Sequence, residues 1–448
     1  MDMAPINNIQ QRGMKRSSAK KIPELEDHDI HPTTGFLPSA PLPLQRLPKY
    51  YEPWEVVLDD LQRLLLAGRL RERVRAIPPL DTTLLSTRRE WQRAYLVLSF
   101  LGQGYIWGKN QDAEEKVPKC IAIPWLRACD ELELKPIITY AAVELYNFKL
   151  LDPSGPWDLS NMCILHTFSG GMDEAWFFLV SIAIEAAGAP ALPAILKALH
   201  AVEDEDLKSL SEALSVIADV TEKITGILKK MYEKTDAHIF FNRVRPYMNG
   251  WEKAENLPNG VLYEGVLSTK RGVPNGIHTD AGIYGKYAGG SAGQSSLIHV
   301  LDCALDVTHK PMPGSDPTKQ VNFIHEMRNY MPGPHKKFVY AVADSYSIKD
   351  YITNLPSKTA GVADLVHLFN KCVDGMKAFR NTHIQMVSVY IVSQANKFKE
   401  VGSAGVPPQV QSERLQNGLL ARGTGGTNLI PFLKQSRDET DAAKIAKS

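Results

Sequence analysis

One predicted helix carries a single histidine on an otherwise apolar face. His383 is the only strongly polar member of a series spaced by three or four residues: Leu365, Leu368, Cys372, Met376, Phe379, His383, Val387 and Tyr390. Residues at this spacing share one side of a helix. The histidine is either a hydrogen-bonded core residue or a ligand of a metal or haem iron, since an imidazole in an apolar slot is a common haem ligand. Arg380, one turn earlier, is either solvated or placed to meet a haem propionate.

Two further segments combine aromatic side chains with a polar group. The run Trp176–Ser181 places aromatics and a hydroxyl on one helix, which suits a pocket for a flat ligand. Core packing explains the aromatics equally well, and Ser181 then bonds back to a carbonyl. In the second segment Arg245 follows Phe241 by four residues, on the same helix face. Its guanidinium is suited to hold a carboxylate in a bidentate pair, or it is a surface charge at a helix end.

Two glycine-rich segments are candidates for ligand contacts. Ala288–Ser296 (AGGSAGQSS) precedes a predicted helix, where backbone N–H groups bind anions. It is not a Walker A loop, because the Gly-Lys-Ser/Thr ending is missing. Close approach of the backbone to a ligand is the other use of such glycines. Gly423–Thr427 (GTGGT) is a mobile loop by composition.

The elements that must position these residues are helical. Apolar periodicity predicts the main helices of the second half of the chain, with a break near Pro190 in the first of them: Asp173–His200, Glu203–Glu233, Asp236–Met248 and Ala363–Ala395. Residues Gly250–Gly293 are rich in glycine and predict a long loop region. Because strands do not alternate with helices, the sequence predicts a mainly α fold.

The chain divides into five predicted segments. We expect a small helical domain, a linker, and a larger helical domain that carries His383, between two terminal segments. Their ranges are 1–48 for a disordered or extended N-terminal arm, 49–150 for the small domain, 151–171 for the linker, 172–434 for the large domain and 435–448 for a C-terminal tail.

Composition excludes several classes of protein. The 448 residues include 51 Lys and Arg against 50 Asp and Glu, a balance that argues against nucleic-acid binding. Five cysteines without CxxC spacing favour neither a disulfide framework nor a structural zinc site. The most apolar stretch, Ala175–Ala189, contains Ser181 and Glu185 and ends at Pro190, so we expect a buried helix and no membrane span. The N-terminus lacks an apolar signal region, and we expect a cytoplasmic protein.

Taken together, these motifs closely resemble one family. The resemblance to indoleamine 2,3-dioxygenase extends from about Leu47 to Leu433 and is carried by Tyr247–Trp251 (YMNGW), Val261–Val266 (VLYEGV), Ala288–Ser296 (AGGSAGQSS), Arg328–Pro332 (RNYMP), Arg380–Ile391 and Gly423–Thr427 (GTGGT). The extended N-terminal segment and the long stretch Ser268–Tyr287 are typical of a fungal member. The resemblance implies a haem enzyme that opens the indole ring of L-tryptophan with dioxygen, giving N-formylkynurenine for the kynurenine pathway and NAD synthesis.

The resemblance also implies roles for individual residues. His383 matches the proximal ligand of the haem b iron, which the larger C-terminal domain holds. The other residues implied at the cofactor are Arg380, Ser291, Ala292 and Asp302. Those implied at the substrate are Tyr140, Phe240, Arg245, Gly290 and Thr424. Ser181 and Phe177 match distal-pocket residues with catalytic roles.

A single histidine ligand suits dioxygen chemistry, because it leaves the sixth iron position open. The distal candidates include no histidine or carboxylate, and a serine hydroxyl such as Ser181 is a poor base. The pocket is therefore expected to position substrate and oxygen rather than abstract a proton. Val143 replaces a small thiol residue common in vertebrate members, which opens the question of breadth toward other indoleamines.

Two alternatives from other classes remain. One is a haem protein of the same family that binds dioxygen without turning over tryptophan, and the other is a haem-free signalling scaffold. The presence of both Arg245 and Thr424 favours the enzyme, because an oxygen store needs neither. We expect the protein to be a monomer.

Overall fold

Helices make up most of the structure, a computed structural model that describes residues 20–39, 41–109, 111–273, 276–312, 322–400 and 429–446. The predicted mainly α fold is confirmed. The α-helices are α1 (Glu52–Asp59), α2 (Leu61–Leu66), α3 (Leu70–Arg75), α4 (Arg88–Trp107), α5 (Lys119–Leu132), α6 (Met172–Gly188), α7 (Ala191–Glu203), α8 (Leu207–Lys229), α9 (Met231–Lys234), α10 (Ala237–Ile239), α11 (Arg245–Met248), α12 (Ser296–Ala304), α13 (Phe323–Met327), α14 (Gly333–Ala343), α15 (Ile348–Asn354), α16 (Val362–Val387), α17 (Ser393–Glu400) and α18 (Leu429–Asp441).

The N-terminal half is built around α4. Its first turn is fixed by a capping box in which the Thr87 hydroxyl accepts from the Glu90 N–H and the Glu90 carboxylate accepts from the Thr87 N–H. Helix α4 packs against α5 and α1. Arg93 of α4 forms a buried ion pair with Glu55 of α1, with 2.5 Å between Nη2 and Oε2. Because Glu55 also accepts from the Leu47 N–H, this pair fixes the chain entering α1.

Short strands replace part of the predicted loop region. Gly250–Gly293 contains β4 (Val261–Glu264), β5 (Ile277–Thr279) and β6 (Gly282–Gly285), which join β1 (Lys116–Val117) in a sheet of order β1-β4-β6-β5. The loop prediction is therefore wrong for these residues. Strands of three or four residues are too short to show the alternation that marks a strand in a sequence. A second sheet, the antiparallel pair β2 (Phe148–Leu150) and β3 (Met162–Ile164), joins the end of the predicted small domain to the middle of the predicted linker.

The long helices of the C-terminal half pack face to face. Helix α16 lies against α8, and both α7 and α6 pack on α8 as well. The close contact depends on Gly375 of α16, because a Cβ there would lie 2.0 Å from the Thr221 Oγ1 of α8. The predicted break near Pro190 separates α6 from α7. Within the described residues, Met172–Glu203 is long and apolar enough to cross a membrane, but 72% of its most apolar window is buried inside the protein.

Both terminal segments pack on the rest of the protein where the structure describes them. In the first, Phe36 and Leu37 are buried, and the Phe36 ring lies tilted against that of His335 of α14, with ring centroids 4.8 Å apart. A few apolar side chains among the prolines of residues 20–39 and 41–48 thus reach the core. At the other end α18 continues past the predicted boundary at 434 and packs on α16. Ile445, in the predicted tail, is buried.

Candidate functional site

An apolar cavity between α6, α11, α12, α16 and α18 collects the predicted site residues. It offers about 290 Å³ to the centre of a water molecule, within the lower range of ligand sites. Eleven of the twelve predicted residues line it: Tyr140, Phe177, Ser181, Phe240, Arg245, Gly290, Ser291, Ala292, Asp302, Arg380 and His383. The twelfth, Thr424, lies outside the described residues.

Three π-helical turns bring side chains to this cavity: Ala141–Leu145, Phe240–Val244 and Ser388–Val392. In the second of them, the Arg245 N–H bonds to the Phe240 carbonyl, five residues back. Residues five apart on an α-helix point about 140° away from each other. The π turn instead lets Phe240 and Arg245 line the same cavity. The Arg245 side chain does lie near the Phe241 ring, as the four-residue spacing predicted. The aromatic residue that lines the cavity with it, however, is Phe240.

His383 lies in α16 and lines the cavity. Among the described residues, neither of its ring nitrogens makes a hydrogen bond. Burial and the nearby Arg380 charge lower the pKa of His383 to about 4. The imidazole is therefore neutral near pH 7, which is the form that binds a metal ion. This disfavours a hydrogen-bonded core histidine.

A chain of charged groups runs from beside His383 toward the surface. The Arg380 Nη2 donates to Asp302 at 2.6 Å, and the same carboxylate oxygen lies 3.1 Å from the His309 Nε2. The other nitrogen of His309, Nδ1, lies 2.7 Å from Glu439 of α18. The Arg380 and His309 partners hold the pKa of Asp302 well below its usual range, despite burial. Asp302 thus stays ionised and fixes Arg380 at the cavity.

Arg380 retains capacity for an anion. Its Nε donates to the Ser436 hydroxyl of α18, and its Nη1 is buried with no partner in the described part of the chain. A buried N–H without a partner is costly. An acidic group of a ligand in this cavity would satisfy it.

Ser181 and Phe177 face the cavity from α6. The Ser181 hydroxyl donates to the Phe177 carbonyl at 3.4 Å, a long bond that holds it only weakly. The Phe177 ring lies 4.7 Å from that of Phe240, which in turn meets Tyr390 edge-on at 5.7 Å. These rings form an aromatic wall.

Arg245 is the most deeply buried cation of the cavity. Its side chain is 1% exposed, and its Cζ lies 5.6 Å from the Phe241 ring centroid. Burial lowers the pKa of the Arg245 guanidinium to about 10, so it remains charged at neutral pH. A guanidinium that lines an apolar cavity is suited to bind an anionic ligand group, such as a carboxylate, in a bidentate pair.

A further buried acid, Glu185, holds the side chain of Tyr140, which lines the cavity. Glu185 accepts from the Tyr140 hydroxyl at 2.9 Å and from the Ser295 hydroxyl at 2.6 Å. Burial raises the pKa of Glu185 to about 7. Tyr140 is also held through its N–H, which donates to Gln294. The Tyr140 ring is therefore fixed from two sides.

The glycine-rich segment serves close backbone packing. A Cβ on Gly289 would lie 2.0 Å from the Met248 carbonyl, so only glycine fits there. Gly290, by contrast, has no neighbour nearer than 3.5 Å to a built Cβ and opens on the cavity. The Ser291 hydroxyl accepts from the Gly293 N–H instead of facing an anion. Close approach thus explains the segment better than an anion cradle.

Sequence reasoning missed an acid and a histidine that line the cavity. Glu144 lies on the first π turn and adds a carboxyl group to the cavity lining. The distal-pocket candidates taken from the sequence included none. The signal of Glu144 was an acidic residue inside the apolar run Tyr140–Leu145. His299 accepts from Arg328 through Nδ1, so its Nε2 donates to the Gly293 carbonyl. That histidine is fully engaged in the fold.

These residues fit a haem group. His383 is neutral and makes no hydrogen bond among the described residues, as an iron ligand requires. Arg380 has a buried N–H that a propionate could accept from. The apolar walls suit the haem macrocycle. In the described ranges no three His, Cys, Asp or Glu side chains converge on a metal site.

Comparison with known proteins agrees with this geometry. A family model described as Indoleamine 2,3-dioxygenase matches residues 24–443. The chain is 36% identical over 423 residues to indoleamine 2,3-dioxygenase 1 of Mus musculus, covering 94% of this chain and 96% of the relative. It is 33% identical over 459 residues to the indoleamine 2,3-dioxygenase of Saccharomyces cerevisiae, covering 97% of each. It is 34% identical over 418 residues to a 6-hydroxytryptophan 2,3-dioxygenase of Fusarium equiseti, covering 93% and 96%. The chain belongs to the indoleamine 2,3-dioxygenase family.

Proposed function

We propose that the protein is a haem-dependent dioxygenase that cleaves the indole C2–C3 bond of L-tryptophan or a closely related indole amino acid. With L-tryptophan the product is N-formylkynurenine, in the first step of the kynurenine pathway toward NAD, in the cytoplasm. The observation that supports this best is the meeting of His383 and Arg245 in one apolar cavity. One residue offers a ligand to iron, and the other offers a cation to an amino-acid carboxylate.

Four groups would hold the haem. His383 would ligate the iron, Arg380 would meet a propionate, and Ser291 and Ala292 would lie along the macrocycle, as the resemblance implies. When bound, the haem supplies ferrous iron with an open position for dioxygen, and the oxidation of the indole is its chemistry. Asp302 contributes by fixing Arg380 through the 2.6 Å contact.

The substrate is positioned by this chain's own side chains. Arg245 holds the carboxylate, and Phe240 and Phe177 stack along the indole ring. The loosely bonded Ser181 hydroxyl is available to orient a neighbouring polar atom, and it acts by placement rather than as a base. Thr424 is proposed to close on the amino-acid end, on the resemblance alone. Apolar walls exclude water and strengthen each of these contacts.

The alternative is a haem protein that binds dioxygen without turning over an indole. In an enzyme, a guanidinium that lines the cavity, such as that of Arg245, can bind the substrate carboxylate in a bidentate pair. An oxygen store has no use for this function. The relatives are named for indoleamine and, in one case, for 6-hydroxytryptophan, which supports turnover of an indole and leaves ring substituents open.

A spectrum and a product assay test the proposal. Purified protein is loaded with haem, reduced, and given dioxygen with or without L-tryptophan and with ascorbate as reductant. We expect a Soret band at one haem per chain and an absorbance increase from N-formylkynurenine. A Soret band without product from any indole amino acid would support the oxygen-binding alternative. Absence of the band at saturating haem would refute both.

A further inference from the structure

Glu144 is a buried carboxyl group in the cavity wall, without a hydrogen-bond partner in the part of the chain that the structure describes. It lies on the π turn Ala141–Leu145 and is 4% exposed. Among the described residues neither carboxyl oxygen makes a hydrogen bond, and Oε2 is fully buried. Val143 of the same turn and Tyr140, directly before it, also line the cavity. Buried polar groups in native proteins nearly always have partners, so this one needs an explanation.

A neighbouring acid shows what a satisfied group looks like here. Glu185 has similar burial but accepts from the hydroxyls of Tyr140 and Ser295. Glu144 receives no such bond. Burial and the nearby Glu185 charge raise the pKa of Glu144 well above its usual range. The raised pKa favours the protonated form of Glu144, which has one O–H donor and one carbonyl acceptor, both unused among the described residues.

The ligand group that matches both functions is a hydroxyl. It accepts from the acid O–H and donates to the acid carbonyl. The benzene ring of tryptophan offers neither function, and the indole N–H donates only. The amino-acid carboxylate of the substrate is assigned to Arg245, on a different turn. The substrate ammonium group, like the indole N–H, only donates, so a group that matches both functions of the acid must lie on the ring system.

We propose that Glu144 is a specificity-determining residue that hydrogen-bonds a hydroxyl group on the indole ring, so that ring-hydroxylated tryptophan is the preferred substrate. This inference rests on the proposed function and narrows its substrate class. A site built to bond a substrate hydroxyl rejects the analogue that lacks it, because its own polar group then stays unpaired.

The test compares wild type with Glu144→Val and Glu144→Gln. Each is given L-tryptophan and its 4-, 5-, 6- and 7-hydroxy derivatives. Glutamine keeps one donor and one acceptor at the same size, whereas valine removes both. Two quantities are measured: kcat/KM for ring opening, and the Kd from spectral titration of the haem-loaded protein without dioxygen.

In wild type, at least one hydroxy isomer should have a kcat/KM about tenfold or more above that of tryptophan and a Kd about tenfold or more below it, which is the scale of a lost buried hydrogen bond. Glu144→Val should lower that preference by about tenfold or more, through weaker binding of the hydroxy isomer or tighter binding of tryptophan. Glu144→Gln should keep most of it. Thermal unfolding of the three proteins confirms that each is folded.

Two results would overturn the inference. One is a Glu144→Val protein that turns over tryptophan and every hydroxy isomer in the wild-type ratio. The other is an equal loss on all substrates, which would give Glu144 a general role in proton transfer or packing. If no indole is turned over but the Kd preference appears and depends on Glu144, the binding inference stands and the proposed dioxygenase function fails.

Discussion

Replacement of Arg245 by alanine should separate carboxylate binding from ring binding. The guanidinium is 1% exposed, so its dehydration has already taken place on folding. A hydrogen bond to a charged group contributes about 1.5–3 kcal/mol. At about 1.4 kcal/mol per factor of ten, the Kd for L-tryptophan should rise by roughly 10- to 150-fold. Tryptamine has the same ring and amine but no carboxylate, and its Kd should change by less than about threefold.

The assay is spectral titration of haem-loaded protein with each ligand in the absence of dioxygen, followed by steady-state kinetics. Arg243→Ala is the matched control, because Arg243 lies on the same π turn and is exposed. It should leave both Kd values unchanged. Equal weakening of tryptophan and tryptamine by Arg245→Ala would show that Arg245 supports the cavity shape, and the carboxylate assignment would be wrong.

Three further substitutions test the rest of the site. His383→Ala should abolish stable haem binding, since no other described histidine lining the cavity has a free ring nitrogen; a full Soret band in the purified variant would contradict this. Ser181→Ala should lower kcat for ring opening by about two- to tenfold, the scale of one net hydrogen bond, and a loss beyond about a thousandfold at intact haem content would assign Ser181 to proton transfer. The pKa of Glu185 is raised to about 7, so the folded state keeps a proton that the unfolded chain releases. The resulting stabilisation is full below about pH 4.5 and is lost as pH rises through 7. As the pH rises from 5 to 7, the unfolding free energy measured by urea titration should therefore fall less for Glu185→Gln than for wild type. An identical fall in the two proteins would show that Glu185 is not the group that titrates.

The sequence predicted the His383 helix well, for a physical reason. A stripe of apolar residues at steps of three and four reports burial of one helix face, and α16 runs through this stripe. A single polar residue on such a face either has a partner or serves a ligand. In the structure Arg380 and Asp302 are hydrogen-bonded to each other at the cavity. No local sequence pattern shows this contact, because the two residues lie 78 positions apart.

Other features left no readable pattern. A π turn differs from an α turn by one residue, and no residue type marks it. The sequence therefore could not predict that Phe240 and Arg245 both line the cavity. Strands β4, β5 and β6 are stabilised by pairing with one another, and pairing is not visible in any one segment. Glu144 was readable in principle, as an acid within an apolar run. Its significance depends on the absence of a partner, which only the folded structure shows.

The three π turns also bear on how this site is held together. A π turn is an α-helix with one residue inserted. Removing a residue from Phe240–Val244 would restore α-helical geometry and rotate α11 by about 100° relative to α10, carrying Arg245 away from Phe240. The rotation would also move Tyr247 and Met248 of α11 out of their buried positions. A single-codon deletion in this turn would therefore take apart the cavity wall that Phe240 and Arg245 share, although both residues are retained. The site depends on the length of this turn as well as on its residues.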